Sequence, residues 1–479
     1  MSYQVPHNID NNKIFIVQRS EIEGRLEPEF YKPSIADLEK TIREKSSHKL
    51  RDYALSVSGG ATPKKTEGDK YYADKETGIP FLRVQNLNTD GPVSFDDCLY
   101  IQKETHEGML ARSQVFEGDL LVKITGVGRM AIASVAPEGF IGNTNQHMVV
   151  VKTGNKEISK YLARYLNLDI IEKIASRHST GGTRPALDYP SVKNLPIIKG
   201  IDFSPIDRAI ELKKQKESEA QHLLDSIDMY ILNELVIALP KSKKELKDRI
   251  FIVERNSLEE RIDPLYYFTE IDKFTHCTYS ERLSNLAFSF ENGFAVGRQN
   301  QVEEENGLLQ IRPTNIDNNG RLKYDKIVYV PEKDDIPFLE SGVVLFNNTN
   351  SQEWVGKTTY FANDNNRKVY ISNHITAISV DRNKILPEYL CAILNMYQRH
   401  KVFYSICTNW NNQSGIGLDL LKSLHIPLFT DDRQESLRKQ QQIVNKINEI
   451  YQKADQCILS ANKIMAEAKA KVESMIIGI

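Results

Sequence analysis

The sequence predicts a mixed α/β fold with two tandem, related globular domains and two long helices. Two observations support this: an internal repeat about half the chain long, and an amphipathic stretch after each copy of the repeat. Short β-prone runs bounded by Gly, Asn and Asp predict the strands, at Leu120–Val122, Met148–Val151 and Val343–Phe346. Short helices are expected around Ile158–Asn167 and Pro387–Asn395.

The repeat opens with an apolar run followed by charged, proline and aromatic residues. Ile14-Phe15-Ile16-Val17 returns as Ile250-Phe251-Ile252-Val253, a shift of 236 residues. The residues that follow match as Arg19, Glu23, Arg25, Pro28, Phe30 and Tyr31 against Arg255, Glu259, Arg261, Pro264, Tyr266 and Tyr267. Later matches are Arg83 with Arg312, Asn86 with Asn315, Gly128-Arg129 with Gly356-Lys357, and Leu166-Asn167 with Leu394-Asn395. A period this long indicates duplication of a whole domain. Because the stretches between the matched residues have diverged, we expect the two copies to share one scaffold but to recognise different things.

The two helices follow the two copies. The predicted boundaries are 1–200 for the first domain, 201–240 for the first helix, 241–428 for the second domain and 429–479 for the second helix. Ser204 is expected as the N-cap of the first helix. Apolar residues in the second alternate in steps of three and four, as in a coiled coil, at Val444, Ile447, Tyr451, Ala454, Ile458, Ala461, Met465, Ala468, Val472 and Met475. At about 45 residues, or near 70 Å, this helix needs a long partner. We expect the two helices to pair.

Composition limits the class of protein. The 479 residues are 40% hydrophobic and 26% charged, without an apolar run of about 20 residues or a signal-peptide core, so a cytoplasmic protein without membrane contact is expected. The five scattered cysteines indicate neither a disulfide framework nor a zinc site. A net charge of −2 argues against a free-standing DNA-binding protein, but it permits DNA contact through local loops inside a complex.

No motif indicates catalysis or a metal site. Gly356-Lys357-Thr358 suggests a phosphate loop, but Ser351 stands where that motif requires glycine. The first copy has Gly126-Val127-Gly128-Arg129 at the matching place, and glycine followed by a long cation suits contact with a phosphate or a guanine edge. His147 and His374 stand alone and are interpreted as structural. We therefore predict no catalytic residues.

Candidate DNA-binding residues lie at matching places in the two copies. An Arg and an Asn at a strand end could cap a turn or contact a duplex, since Arg pairs with guanine or phosphate and Asn with adenine. The polar loops 179–184 and 408–413 could be inert or could read base edges. The candidates are Arg83, Asn86, Lys123, Arg129, Thr180, Thr183, Arg184, Arg312, Asn315, Lys357, Trp410, Asn411, Asn412 and Gln413.

With these motifs the chain resembles the specificity subunit of type I restriction-modification systems over essentially its whole length. Further similarities are the Gly-Asp-Leu-Leu run at Gly118–Leu121, the Leu195-Pro196-Ile197 and Leu424-His425-Ile426-Pro427 endings, and the helix entry at Gln441-Gln442-Ile443-Val444. The entry of the first helix differs: Asp202-Phe203-Ser204-Pro205 replaces the family's Pro-rich, Gln-containing segment.

The resemblance implies that each globule is a target recognition domain for one half of a bipartite site in double-stranded DNA. It also implies that two antiparallel helices dock two methyltransferase subunits, to which restriction (motor-nuclease) subunits can be added. The helices are marked by Leu223, Ile227, Ile231, Val444, Ile447, Ile458 and Met465. No cofactor is expected in this chain, since S-adenosylmethionine would bind the methyltransferase subunits.

Two alternatives remain open. One is a coiled-coil scaffold that binds only proteins; the other is a DNA-binding subunit of a related methyltransferase or defence system. An enzyme would need a glycine motif for S-adenosylmethionine with an Asn/Asp-Pro-Pro-aromatic motif, or a carboxylate-lysine cluster for metal, and the sequence contains neither.

Overall fold

A computed structural model describes residues 10–46, 48–237, 250–255, 258, 262, 264–268, 279–363, 367–410 and 413–478. The chain forms two compact units. Unit 1 consists of Met1–Glu217 and Ile458–Ile479, and unit 2 of Ser218–Cys457. The division falls within both long helices, so each unit contains a part of each helix. The domain boundaries expected from the sequence, which separate globules from helices, stay a prediction.

Unit 1 is built on two main sheets. Its four-stranded antiparallel sheet has the order Ser56–Gly59, Met148–Lys152, Leu120–Lys123, Ala133–Val135. The five-stranded sheet has the order Tyr72–Ala73, Leu99–Ile101, Ile79–Leu82, Ile141–Thr144, Gln114–Phe116, with one parallel pair in it. A short ribbon pairs His48–Lys49 with Pro196–Ile197. The strands predicted at 120–122 and 148–151 are confirmed.

Unit 1 also contains helices, one of which, Lys156–Leu166, packs against the four-stranded sheet. They span Pro33–Lys45, Gly68–Tyr71, Lys103–Glu107, Lys156–Leu166, Asp169–Arg177 and Tyr189–Lys193. Asn155 caps the fourth by accepting hydrogen bonds from the backbone N–H groups of Glu157 and Ile158, which confirms the helix predicted there. The core also takes side chains from both long helices, including Ile206, Met465 and Val472.

Unit 2 repeats this architecture. Its four-stranded sheet runs Ala287–Asn292, Ile375–Val380, Val343–Asn347, Thr358–Phe361, the same order as in unit 1. A second sheet contains Tyr329–Val330, Leu308–Ile311 and Val369–Ile371, a third Thr349–Asn350, Gln413–Gly415 and Thr408–Trp410, and a ribbon pairs Ser280–Arg282 with His425–Pro427. The shared strand order confirms that the sequence repeat is a repeat of structure.

The short helices of unit 2 span Pro264–Phe268, Leu283–Leu286, Pro387–Arg399, Val402–Ile406 and Leu418–Ser423. The two long helices span Ser204–Glu234 and Arg433–Ile477, and the second has the 45 residues expected from its seam. Ser204 is the first residue of the first long helix and not its N-cap, and its backbone N–H donates to Asp202 Oδ1 at 2.9 Å. Among the described residues, no helix has the length and apolarity to cross a membrane.

The helix residues expected to mark a partner surface lie mostly inside the two cores. Ile227, Ile231, Val444 and Ile447 belong to the core of unit 2, and Leu223 packs against it. Met465 belongs to the core of unit 1, whereas Ile458 is 38% exposed. The apolar seam therefore contributes mostly to the interior of each unit.

Candidate nucleic-acid interface

Two loops of unit 1 that are far apart in sequence form one ladder. The backbone N–H groups of Thr180 and Ala186 each donate to the other's carbonyl oxygen at 2.8 Å. Ala186 is also bridged to Thr125, and the N–H of Gly126 donates to the Pro185 carbonyl at 3.0 Å. We call residues 124–128 and 179–187 the first loop ladder. The structure thus brings together the glycine loop and the late polar loop selected from the sequence.

The tip of the first loop ladder is exposed. Thr180, Thr183 and Arg184 all face solvent. Val127 is 78% exposed and stands between Gly126 and Gly128, whose φ angles of +124° and +78° strongly favour glycine. Hydroxyls, a guanidinium group and an apolar side chain therefore share one projecting surface, and the backbone beneath them is held by its own hydrogen bonds.

Unit 2 builds the corresponding feature from different residues. Thr349–Asn350 pairs with Gln413–Gly415, which pairs in turn with Thr408–Trp410. The attachment to the core matches that in unit 1. Ile416 N–H donates to the Asn348 carbonyl at 2.9 Å, as Leu187 N–H donates to the Ile124 carbonyl at 2.7 Å. We call residues 348–350 and 408–416 the second loop ladder.

The second loop ladder carries aromatic and amide groups. Trp410 is 46% exposed, Gln413 is exposed, and nearby Trp354 is 43% exposed. The Trp410 ring passes so close to Gly415 that a Cβ added there would lie 2.4 Å from it. Asn411 and Asn412, which the sequence also selected, lie outside the described residues. The chain's two tryptophans thus both belong to the exposed loops of unit 2.

Asn86 and Asn315 hold turns inside the scaffold. Asn86 is fully buried: its Oδ1 accepts from the Arg83 N–H, and its Nδ2 donates to the carbonyls of Ser94 and Asp96. Asn315 repeats this with the Arg312 N–H and the carbonyls of Lys323 and Lys326. The turn-capping alternative therefore describes these two residues, and their amides are not available to DNA.

The long cations of the glycine loops also serve the scaffold. Arg129 donates to the Asn167 carbonyl at 2.6 Å and pairs with Asp169. Lys357 donates to the Ile316 carbonyl at 2.7 Å, and buried Lys123 donates to the Val127 carbonyl at 2.8 Å. Burial lowers the pKa of both lysines. All three side chains thus hydrogen-bond their own chain; Lys123 is buried, and Arg129 and Lys357 are half-buried.

The repeated asparagines Asn167 and Asn395 explain another part of the sequence match. Asn167 exchanges two hydrogen bonds with the backbone of Ala133, and Asn395 does the same with Thr358. Asn167 follows the last residue of its helix and Asn395 lies within the helix Pro387–Arg399, and both join a helix to the strand that follows the glycine loop. The residues that the two copies share are thus largely the residues that hold the fold.

Arg83 and Arg312 are partly engaged. Arg83 donates through Nη2 to the Asp97 carbonyl, while its buried Nε has no hydrogen-bond partner among the described residues. Arg312 donates to Gln310 Oε1 through Nε at 3.1 Å and Nη2 at 3.0 Å, and burial lowers its pKa. Their contact with DNA stays a prediction.

The sequence analysis did not select Val127 and Trp354, two exposed side chains of these loops. The signal that could have identified them is an apolar or aromatic residue inside a turn-prone loop.

Part of this chain is similar to proteins of a known family. Residues 47–198 match the model of the type I restriction modification DNA specificity domain. A putative type I restriction enzyme specificity subunit, MjaX of Methanocaldococcus jannaschii, is 31% identical over 98 residues, which cover 20% of this chain and 23% of that relative. The match thus spans less than a quarter of the relative's length.

Three solved structures align with most of the chain at low TM-scores. A structure of a type I R-M system, described for its complex assembly and conformational transition, has a TM-score of 0.45 at 15% identity, covering 90% of this chain and 95% of that one. The S subunit from M. genitalium has a TM-score of 0.34 at 11% identity, with 89% and 94% covered. The HsdS subunit from Thermoanaerobacter tengcongensis has a TM-score of 0.30 at 14% identity, with 90% and 94% covered. Residues 47–198 of this chain are therefore similar to the type I restriction modification DNA specificity domain.

Proposed function

We propose that this chain is the non-catalytic DNA specificity subunit of a type I restriction-modification complex. In this proposal each unit reads one half of a bipartite double-stranded site, and the complex acts there through two methyltransferase subunits and added restriction subunits. The observation that carries it is the pair of loop ladders, which have matching attachments to matching scaffolds but unlike exposed side chains.

The chemistry of the two ladders suits different bases. Arg184 has the donor fork that pairs with guanine, and Thr180 and Thr183 can donate to or accept from a base edge. Val127 offers an apolar contact of the kind that fits a thymine methyl group. In unit 2 the amide of Gln413 suits adenine, and Trp410 offers an aromatic face. A protein-binding scaffold would not need exposed base-edge donors in both copies.

The distribution of the helices supports antiparallel pairing. Unit 1 contains the start of the first long helix and the end of the second, and unit 2 contains the end of the first and the start of the second. The exposed faces of the two helices are the surface we assign to methyltransferase subunits. With a net charge of −2, the chain would depend on those subunits for much of the attraction to phosphate.

The test is reconstitution of methyl transfer. The purified chain with S-adenosylmethionine and DNA should transfer no methyl groups, and addition of the methyltransferase subunits should give methylation at one bipartite sequence. Exchange of residues 180–184 should change one half of that sequence, and exchange of residues 408–415 the other half. Methyl transfer by the chain by itself, or site choice that ignores both exchanges, would contradict the proposal.

A further inference from the structure

We propose that the repeated arginine-proline-aromatic motif is a clamp that sets the position of the first loop ladder, with Arg25 as its positioning residue. The clamp consists of Arg25, Phe30, Tyr31 and Glu39. The inference rests on the proposed function, because it makes these residues, which need not touch DNA, determinants of the first half-site. It gives a role to the strongest part of the sequence repeat, which the scaffold contacts described above leave unexplained.

Arg25 holds the root of the ladder directly. Its Nη2 donates to the carbonyl oxygen of Ser179 at 2.8 Å, one residue before Thr180 begins the ladder. The guanidinium carbon of Arg25 lies 4.5 Å from the centre of the Phe30 ring, a cation–π contact. Tyr31 fixes the backbone around Arg25, since its hydroxyl donates to the Arg25 carbonyl at 2.8 Å and accepts from the Glu23 N–H at 2.9 Å.

A second set of contacts holds the two residues before Ser179. Arg177 donates through Nε to the Phe30 carbonyl at 2.6 Å, and its guanidinium carbon lies 4.3 Å from the centre of the Phe30 ring. Arg177 also pairs with Glu39, and His178 Nε2 lies 2.9 and 3.0 Å from the Glu39 oxygens. Residues 177, 178 and 179 are thus each tied to the clamp.

Glu39 makes the clamp a buried charge network. Its side chain is 3% exposed and also pairs with Arg43. Burial opposes ionisation, but hydrogen bonds and the charge of His178, together with Arg177 and Arg43, outweigh it and lower the pKa of Glu39 to about 2. Buried, multiply bonded charges tolerate little displacement, because any movement leaves a charge unpaired. Residues 177–179, which lead into the first loop ladder, are therefore fixed in position.

Unit 2 places the proline and aromatic residues of the motif at the corresponding location, whereas Arg261, the counterpart of Arg25, lies outside the described residues. The repeat of Pro28–Tyr31 begins the helix Pro264–Phe268, which packs against the helix Val402–Ile406. That helix ends two residues before Thr408, where the second loop ladder begins. In both copies the motif thus meets the segment that leads into the late loop. The motif would be repeated in both copies if each late loop needs a fixed segment before it.

The first experiment tests the clamp without DNA, by hydrogen exchange of the purified full chain. Arg25→Ala should speed exchange of the Thr180 and Ala186 amides by about tenfold, the effect of losing one charge-assisted hydrogen bond. Tyr31→Phe, a milder change that removes only the hydroxyl, should speed it less. Arg19→Ala, at an exposed arginine of the same segment, is the matched control. Unchanged exchange in Arg25→Ala would overturn the clamp, whatever the chain does with DNA.

The second experiment maps genomic methylation in cells with the wild-type gene, a deletion, and the same three variants. Arg25→Ala should relax or abolish recognition of one half-site and keep the other, which a general loss of folding would not do. An identical set of sites in Arg25→Ala, or equal loss of both halves in a folded chain, would overturn the clamp. If deletion of the gene changed no methylated site, the proposed function would be wrong. The hydrogen-exchange measurement would still decide whether the clamp exists.

Discussion

Replacing Glu39 with glutamine should destabilise unit 1 while leaving unit 2 unchanged. The substitution keeps the size of the side chain, but it replaces one acceptor oxygen with an NH2 donor and removes the negative charge that faces Arg43, Arg177 and His178. Those groups would then lack their common counter-charge in a site that water scarcely reaches. Breaking a buried ion pair from one side costs more than the pair itself contributes.

The magnitude follows from proton affinity. A pKa of about 2 in place of the ordinary 4.5 corresponds, at about 1.4 kcal/mol for each tenfold change in proton affinity, to about 3 kcal/mol of stability. Because the folded pKa is the lower one, this stability is present above pH 4.5 and is lost as the pH falls toward 2. The difference between wild type and Glu39→Gln should therefore shrink to about 1 kcal/mol at pH 3.

Urea unfolding of the full chain measures the effect. Far-UV circular dichroism follows both units, whereas tryptophan fluorescence follows unit 2, since Trp354 and Trp410 both lie there. The circular dichroism signal should show an additional transition at a lower urea concentration. The shift should be about 1 M if the unfolding free energy falls by about 3 kcal/mol per molar urea, and the midpoint of the fluorescence transition should not change. Glu29→Gln, at a highly exposed carboxylate paired with Lys32, is the control and should change little. A loss below 0.5 kcal/mol at pH 7, taken as about the size of an ordinary surface substitution, would refute the reasoning, as would a gap that stays constant on acidification.

Three further predictions concern the loop ladders and their scaffold. Arg184→Ala should weaken binding of the reconstituted complex by about 1–3 kcal/mol and relax one half-site, measured over a library of half-site variants; a uniform loss on every sequence would instead indicate a phosphate contact. Trp410→Ala should weaken binding by about 1–3 kcal/mol through the second half-site, and DNA should alter the tryptophan fluorescence of the wild-type complex; unchanged emission at saturating DNA would argue against the second ladder. Asn86→Ala and Asn315→Ala should each cost about 1–3 kcal/mol of stability in chemical unfolding, because buried backbone groups lose their partners, with half-site choice by the folded fraction unchanged.

The sequence predicted the duplication, the strands and the long helices because these depend on periodic patterns and on residues that recur at fixed shifts. It also selected the two loops that form the ladders. It did not separate scaffold from surface within the repeated residues: Asn86, Arg129 and Lys357 have the chemistry of DNA contacts but hydrogen-bond their own chain. Polarity in a sequence does not reveal whether a donor faces solvent or a buried carbonyl.

Contacts across long sequence distances were also out of reach of local patterns. The ladder joins residues 124–128 to residues 179–187, and Arg25 meets Ser179 across 154 positions. A local pattern cannot specify such a pairing, because it depends on the packing of the elements between. Burial of the helix seam in two separate cores was likewise unexpected, since the same apolar period fits a helix pair and a helix against a globule.

The composition of unit 1 has a consequence for its synthesis on the ribosome. Its core combines Ile42 and Leu162 with Met465, Val472 and Ile476, which are translated after the whole of unit 2. At roughly 5–20 residues per second, the N-terminal part of unit 1 waits roughly 10 to 50 s for these side chains. During that interval it presents an unfilled apolar face, as an incompletely folded nascent chain. Although translated first, unit 1 completes its core last, so chaperone binding before residue 458 emerges should concentrate on the earlier-made half of the protein.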